Sequence, residues 1–184
     1  MKQIFLTATI GVFLAGAAGA ADCRPGPVLG ANEQFAPLGK GGIATLAIAS
    51  RPVDLRRDDV LIQRGDKGDS LYVVGRGRLV VRIREGGKDI EVARPEPGGL
   101  VGEFMLLDSQ DRTATVVAAE DSCVVEVTRR ALAPLLVKDA ELARRFARVI
   151  AERQGDASSF NVDVLAERIR TRAAAEASGK EERK

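Results

Sequence analysis

The sequence predicts an α+β fold that is mainly β, an antiparallel sandwich or barrel followed by helices. Short strand-prone runs recur from Val53 onward at roughly ten-residue spacing, separated by glycine-rich or acidic turns, as in sandwiches and barrels. The 184 residues include 19 glycines and only 4% aromatic residues, which favours a turn-rich β fold. After Val127 the spacing of apolar residues becomes helical. Strands therefore occupy the middle of the chain and helices its end.

Runs rich in β-branched residues predict the strands, and glycines between them supply the positive φ that tight turns require. The predicted strands are Val53–Leu55, Asp59–Gln63, Ser70–Val74, Leu79–Ile83, Asp89–Ala93, Thr113–Ala118 and Cys123–Thr128.

Helical periodicity begins at Thr128, a plausible N-cap for a helix whose apolar face includes Leu132 and Leu136. Asp139 caps a longer predicted helix that ends near Gln154. Its apolar stripe consists of Leu142, Phe146, Val149 and Ile150. A second amphipathic segment covers 162–177 and leads into a charged, solvated tail.

The first 21 residues have the pattern of a secretory signal peptide or a membrane anchor. Lys2 precedes an uncharged run that ends in Ala18-Gly19-Ala20, a small-x-small cleavage pattern. A buried helix without targeting function is the alternative. The predicted organisation is a signal or anchor at 1–21, an irregular linker at 22–42, a ligand-binding domain with flanking helices at 43–154 and a helical, charged tail at 155–184. An exported or anchored address places the domain outside the cytoplasm.

Composition argues against catalysis. The chain has no histidine, so it lacks His-based acid–base catalysis and His-rich metal sites. Its two cysteines, Cys23 and Cys123, lack metal-ligand spacing. They pair if the protein is exported, or Cys123 is plain core. We therefore expect no enzyme, no metal and no cofactor, and a net charge of +2 gives no indication of nucleic-acid binding.

The stretch GEFMLLDSQDRTATV, residues 102–116, carries the candidate site. Glu103 and Arg112 flank a short apolar run, as either a surface ion pair or two ends of a small-molecule site. Glycines before a one-turn helix at 102–107 leave backbone N–H groups for an anion, and an arginine fork binds the same anion in a bidentate way. A carboxylate fits beside an anion when the ligand also offers hydroxyl groups, as a sugar phosphate does.

These residues resemble the phosphate-binding cassette of the cyclic nucleotide-binding domain family, the β-roll of the catabolite activator protein and of cyclic-nucleotide-regulated kinases and channels. The segments 59–74 and 77–81 resemble its early strands, and the similarity extends from about Phe35 to Gln154. The resemblance implies an antiparallel β-roll, or jelly roll, with a short cassette helix and C-terminal helices. We refer to residues 102–116 as the cassette.

The resemblance also implies roles for individual residues. Glu103 accepts from the ribose 2′-OH, Arg112 binds the cyclic phosphate, and amides near Gly102 and Thr113 complete the cradle. The full set of candidate ligand-binding residues is Gly102, Glu103, Phe104, Arg112, Thr113 and Ala114. Phe146 and Ile150 are candidates for a lid over the purine, although core packing explains their spacing better.

Three positions bear on affinity and selectivity. Met105 stands where the family usually has a small residue, and Asp111 where it often has proline. We expect Met105 to change the pocket and Asp111 to compete for the guanidinium of Arg112. Thr113 resembles the threonine that cGMP-preferring members carry after the arginine. It favours cGMP only slightly, because cAMP binders also carry hydroxyl residues there.

The sequence thus predicts a non-catalytic regulatory module that binds cAMP or cGMP and couples occupancy to its C-terminal helices. The residues after Gly155 lack a helix-turn-helix pattern, which argues against a DNA-binding regulator. Segments 130–136 and 150–154 loosely resemble regulatory modules of bacterial mechanosensitive-type channels, which makes a membrane effector or self-association through the helices candidate partners.

Two alternatives remain open. A degenerate β-roll without ligand, acting in protein interaction or structure, is motivated by the exported address, since cyclic nucleotides are made and used in the cytoplasm. The ligand requires a cytoplasmic location, which holds if the segment 1–21 does not function in targeting. A cupin-like β-barrel enzyme shares the strand texture but has no histidines for a metal.

Overall fold

The computed structural model describes residues 23–107, 111–154 and 161–179. The strands are β1 (Arg51–Leu55), β2 (Val60–Ile62), β3 (Ser70–Arg76), β4 (Leu79–Glu85), β5 (Lys88–Ala93), β6 (Leu100–Val101), β7 (Thr115–Ala118) and β8 (Ser122–Thr128). The α-helices are α1 (Pro25–Ala31), α2 (Gly39–Ile48), α3 (Arg129–Lys138), α4 (Ala140–Arg153) and α5 (Val162–Ala177), and 3₁₀ helices cover Glu33–Leu38 and Glu103–Leu106. The signal-like segment 1–21 and two parts of the predicted charged tail, 155–160 and 180–184, lie outside the described residues.

Two four-stranded antiparallel sheets form the β domain. The first sheet has the order β1-β8-β3-β6 and the second the order β2-β7-β4-β5. This arrangement confirms the predicted mainly β, antiparallel fold, and each of the seven predicted strands overlaps an observed one.

The central strands β3 and β8 of the first sheet are buried on both faces, and successive side chains of a strand point to opposite sides. Leu71 and Val73 of β3 and Val125 of β8 face the helices and join the larger apolar cluster. Val74 of β3 and Val124 of β8 face the second sheet and join a smaller, inner cluster. The burial of every residue of β8 except the last follows from this position between the two clusters.

The segment 22–42, predicted as an irregular linker, is helical over most of its length. Pro25 and Pro27 lie in the first turn of α1, where the missing N–H costs no intrahelical bond. Leu29 and Phe35 are fully buried in the larger apolar cluster, which the helices share with the first sheet. Asn32 donates from Nδ2 to the carbonyl of Gly98 at 2.7 Å. Long-range packing thus overrides the loop-like composition of this segment.

A disulfide joins Cys23, at the start of the described chain, to the buried Cys123 of β8. The pairing expected for an exported protein is therefore present, with a Cα–Cα separation of 6.1 Å. The bond fastens the segment before α1 to the central strand of the first sheet.

The predicted amphipathic segment 162–177 is α5, which packs against α3 and α4 through Leu165, Ala166, Ile169 and Ala173. This helix is part of the larger apolar cluster and is not merely a solvated extension. Within the described residues, no helix has the length and apolar character needed to cross a membrane.

Candidate functional site

The cassette begins where β6 ends. β6 pairs with β3, and the chain then turns at Gly102, whose φ of 83° is one that residues with a side chain rarely adopt. A Cβ at this position would lie 2.9 Å from Arg112 Nη1 and 3.0 Å from the carbonyl oxygen of Ser70. Glycine therefore lets the backbone pass close to Arg112. The one-turn helix predicted at 102–107 is the 3₁₀ helix Glu103–Leu106.

Backbone hydrogen bonds fix the position of Arg112. Its N–H donates to the carbonyl of Asp66 and its carbonyl accepts from the N–H of Gly65, both at 2.8 Å. Its guanidinium lies directly over Gly68, where a Cβ would be 2.3 Å from Nε. Nη1 donates to the carbonyl of Gly102 at 3.4 Å. The missing side chains of two glycines thus make the space that the guanidinium occupies.

Asp111 forms an ion pair with Lys67, and the two residues also form an isolated β-bridge. Both side chains are largely exposed, at 54% and 73%, so the pair contributes about 0–1 kcal/mol. The structure gives Arg112 no ion pair with any of the residues it describes. The expected competition of Asp111 for Arg112 is therefore not present in this structure.

Glu103 is 2% exposed, and its partner is Arg153 at the end of α4. Oε2 of Glu103 lies 2.7 Å from Nη1 of Arg153, while Nη2 of Arg153 donates to the carbonyl of Leu100 at 2.8 Å. The simple ion pair between Glu103 and Arg112 is thus absent. Sequence reasoning missed this role of Arg153, because its long-range contacts leave no periodic signal.

Glu103 and Arg112 line one cavity of about 640 Å³. The other four candidate ligand-binding residues, Gly102, Phe104, Thr113 and Ala114, also line it. Strands β4 and β5 add an apolar wall that includes Val81, Ile83 and Val92. The cavity lies within the range of about 300–1,000 Å³ typical of small-molecule sites.

The two lid candidates lie elsewhere. Phe146 and Ile150 are fully buried in the larger apolar cluster, where the ring of Phe146 meets that of Phe35 edge-on at 5.5 Å between centroids. The stripe of α4 packs inward because it is the helix's apolar face. The α4 end contributes Glu152, Arg153 and the following Gln154 to the cavity instead.

Met105 is 3% exposed, packs in the larger apolar cluster and also lines the cavity. Thr113 is exposed at the cavity edge.

The chemistry of the cavity suits an anionic ligand that carries hydroxyl groups. Arg112 supplies a cation, and Glu103 supplies a carboxylate that accepts hydrogen bonds. No group of three or more His, Cys, Asp or Glu side chains placed to hold a metal ion occurs among the described residues.

Comparison with known proteins supports this description. Residues 52–139 match the family described as "Cyclic nucleotide-binding domain". A cAMP-dependent protein kinase regulatory subunit from Blumeria graminis is 37% identical over 87 residues, covering 43% of this chain and 22% of the relative. The cyclic AMP receptor protein of Thermus thermophilus is 33% identical over 116 residues, covering 62% of this chain and 53% of the relative. The chain thus spans about half or less of these curated relatives.

Among solved structures, the N-terminal domain of a transcriptional regulator from Streptomyces coelicolor superposes with a TM-score of 0.57 at 33% identity. The match covers 70% of this chain and 90% of that domain. Sequence and fold therefore agree, and the chain belongs to the cyclic nucleotide-binding domain family.

Proposed function

We propose that the cavity binds a cyclic nucleotide, cAMP or cGMP, and that the chain is a non-catalytic regulatory module. The observation that carries the proposal is that Glu103 and Arg112 open onto one cavity with an apolar wall. Membership of the family and the names of the relatives support it. The proposal needs no cofactor, metal or nucleic acid.

In this proposal Arg112 binds the cyclic phosphate. One donor atom of its guanidinium, Nη1, contacts the carbonyl of Gly102, and an arginine has five N–H donors in all. Donors therefore remain for phosphate oxygens, and a charge-assisted contact in a partly buried cavity is stronger than one between neutral groups. Gly102, Phe104, Thr113 and Ala114 surround the phosphate and the sugar.

Glu103 accepts from the ribose 2′-OH. Its Oε2 is paired with Arg153, and a carboxylate has about four acceptor sites on two oxygens, so Oε1 can accept a ligand hydroxyl at the same time. The apolar wall of β4 and β5 lies against the base, and Thr113 at the cavity edge gives a slight preference for cGMP.

Occupancy is coupled to the C-terminal helices through Arg153. This residue ends α4, contacts Glu103 in the cassette and donates to Leu100 in β6. A ligand that fixes Glu103 also fixes Arg153, and α4 packs against α5. The helices in turn contact a membrane effector or a second copy of the chain. This coupling requires two helix arrangements with different affinities for the ligand.

A second function is favoured by the Cys23–Cys123 disulfide. Disulfides persist in oxidising compartments, in agreement with the signal-like segment, whereas cyclic nucleotides are made in the cytoplasm. In this alternative, the β-roll is exported, has lost its ligand and acts in protein interaction or structure. Fractionation of a C-terminally tagged chain tests it: periplasmic protein of reduced mass favours export, and full-length cytoplasmic protein favours ligand binding.

Isothermal titration with cAMP and cGMP tests the first proposal. We expect Arg112→Ala to lose about 2–5 kcal/mol of binding free energy, as for truncation of one partner of a buried charge pair, and Glu103→Ala to lose less. Arg82→Ala is the matched control, because Arg82 is exposed on β4 and does not line the cavity. The absence of both detectable heat and a thermal shift at millimolar nucleotide would contradict the proposal.

A further inference from the structure

Polar side chains form a row across the first sheet, directly behind the cassette. Arg51 of β1 is the register partner of Glu126 of β8, which in turn is the partner of Tyr72 of β3. Tyr72 is also the partner of Val101, the residue before Gly102. The row therefore extends from the edge of the sheet to the start of the cassette.

Each member of the row contacts the next. Arg51 forms an ion pair with Glu126, whose side chain is 10% exposed. The hydroxyl of Tyr72 donates to Oε1 of Glu126 at 3.4 Å. On the far side, Cζ of Arg112 lies 5.9 Å from the centroid of the Tyr72 ring. This distance is within the approximate 6 Å limit for a cation–π contact.

We infer that Tyr72 is a positioning residue for ligand binding: its ring holds the guanidinium of Arg112 against Gly68, with its donors directed into the cavity. The guanidinium then has three neighbours, namely the ring, the bare backbone of Gly68 and the carbonyl of Gly102. Two of these neighbours limit where the plane of the guanidinium can lie, and the third accepts one of its hydrogens.

Glu126 strengthens this arrangement electrostatically. A tyrosine hydroxyl that donates to a carboxylate becomes more electron-rich, and the ring face attracts a cation through its negative quadrupole. Arg51 neutralises Glu126, so the row carries alternating charge, with the aromatic ring between an acid and a base. A ligand phosphate bound to Arg112 would add one more negative group at the end of this row.

Two properties make the inference testable in the ligand-free protein. Tyr72 is the single tyrosine and the chain has no tryptophan, so intrinsic fluorescence reports on this ring. The Nε–Hε resonance of Arg112, assigned by its loss in Arg112→Lys, reports the ring current of Tyr72. We expect this resonance to move in Tyr72→Leu and to stay within a small shift in Tyr72→Phe, which retains the ring.

The ligand readout rests on the proposed function. Titration with cAMP and cGMP should show Kd raised about 5- to 30-fold in Tyr72→Leu, the effect of losing a partly desolvated cation–π contact. Tyr72→Phe should remain within about threefold of the wild type, because the ring carries most of the attraction. Tyr72→Met serves as a second ring-free variant if Tyr72→Leu does not fold.

The outcomes separate the two claims. An Arg112 resonance that is unchanged in both ring-free variants overturns the inference, whether or not nucleotide binds. A moved resonance in a wild-type protein that binds neither nucleotide supports the positioning role and contradicts the proposed function. Equal weakening of binding by Tyr72→Phe and Tyr72→Leu also overturns the inference, since the ring would then be irrelevant.

Discussion

Reduction of the Cys23–Cys123 disulfide should remove a large part of the stability of the domain. The bond closes a loop with a sequence separation of 100 residues. In the chain-entropy treatment, closing a loop of this length lowers the free energy of folding by about 4.7 kcal/mol at 25 °C through restriction of the unfolded chain. Measured losses from small secreted domains are about 2–5 kcal/mol, so we expect a loss in this range.

Urea denaturation of the oxidised protein, the reduced protein and Cys23→Ser measures this loss. The two thiol forms should agree with each other and show a lower midpoint than the oxidised protein. The slope m should rise on reduction, because an unfolded chain without the crosslink exposes more surface. A difference in unfolding free energy below about 1 kcal/mol would refute the reasoning, since restriction of the unfolded chain would then not be what the disulfide contributes to stability.

Three further predictions concern the site. Gly68→Ala should weaken nucleotide binding by about tenfold or more in titration while leaving the thermal midpoint almost unchanged, because the new Cβ displaces the flexible guanidinium of Arg112. Arg153→Ala should lower the free energy of unfolding, measured in urea, by about 1–3 kcal/mol. This loss is smaller than for a fully buried ion pair, because the side chain of Arg153 is 40% exposed. The same variant should abolish ligand-induced protection of α5 in hydrogen exchange. Burial, and then the charge of Glu126, raise the pKa of Tyr72 above 10. Phenolate absorbance should therefore appear at a higher pH in the folded protein than in the unfolded chain, and the free energy of unfolding should fall as the pH rises from about 10 through the folded pKa. Glu126→Gln should shift the absorbance titration of Tyr72 to lower pH.

The strands and the cassette could be predicted because their signals are local. Alternation of apolar residues, glycine turns and the order of Gly102, Glu103 and Arg112 are all visible within short windows of sequence. Strand β6 escaped detection because two residues carry no periodicity, and only its pairing with β3 defines it.

What could not be predicted depends on contacts between distant parts of the chain. The proline- and glycine-rich segment before α2 is helical because Leu29 and Phe35 find a buried surface. Arg153 is one of several arginines in α4 and nearby, and the residue that distinguishes it, Glu103, precedes it by 50 positions. The helical spacing of Phe146 favoured burial in the core. Spacing alone, however, did not exclude a role as a lid over the ligand.

The path of the chain through the cassette has a consequence for the way the protein unfolds. Val101 belongs to the inner apolar cluster between the sheets, while Met105 and Leu106 belong to the cluster shared with the helices. A ligand seated here would contact residues of both clusters, so its binding free energy would stabilise both at once. Calorimetry should then show one transition whose van't Hoff and calorimetric enthalpies agree, and nucleotide should move this whole transition to a higher temperature.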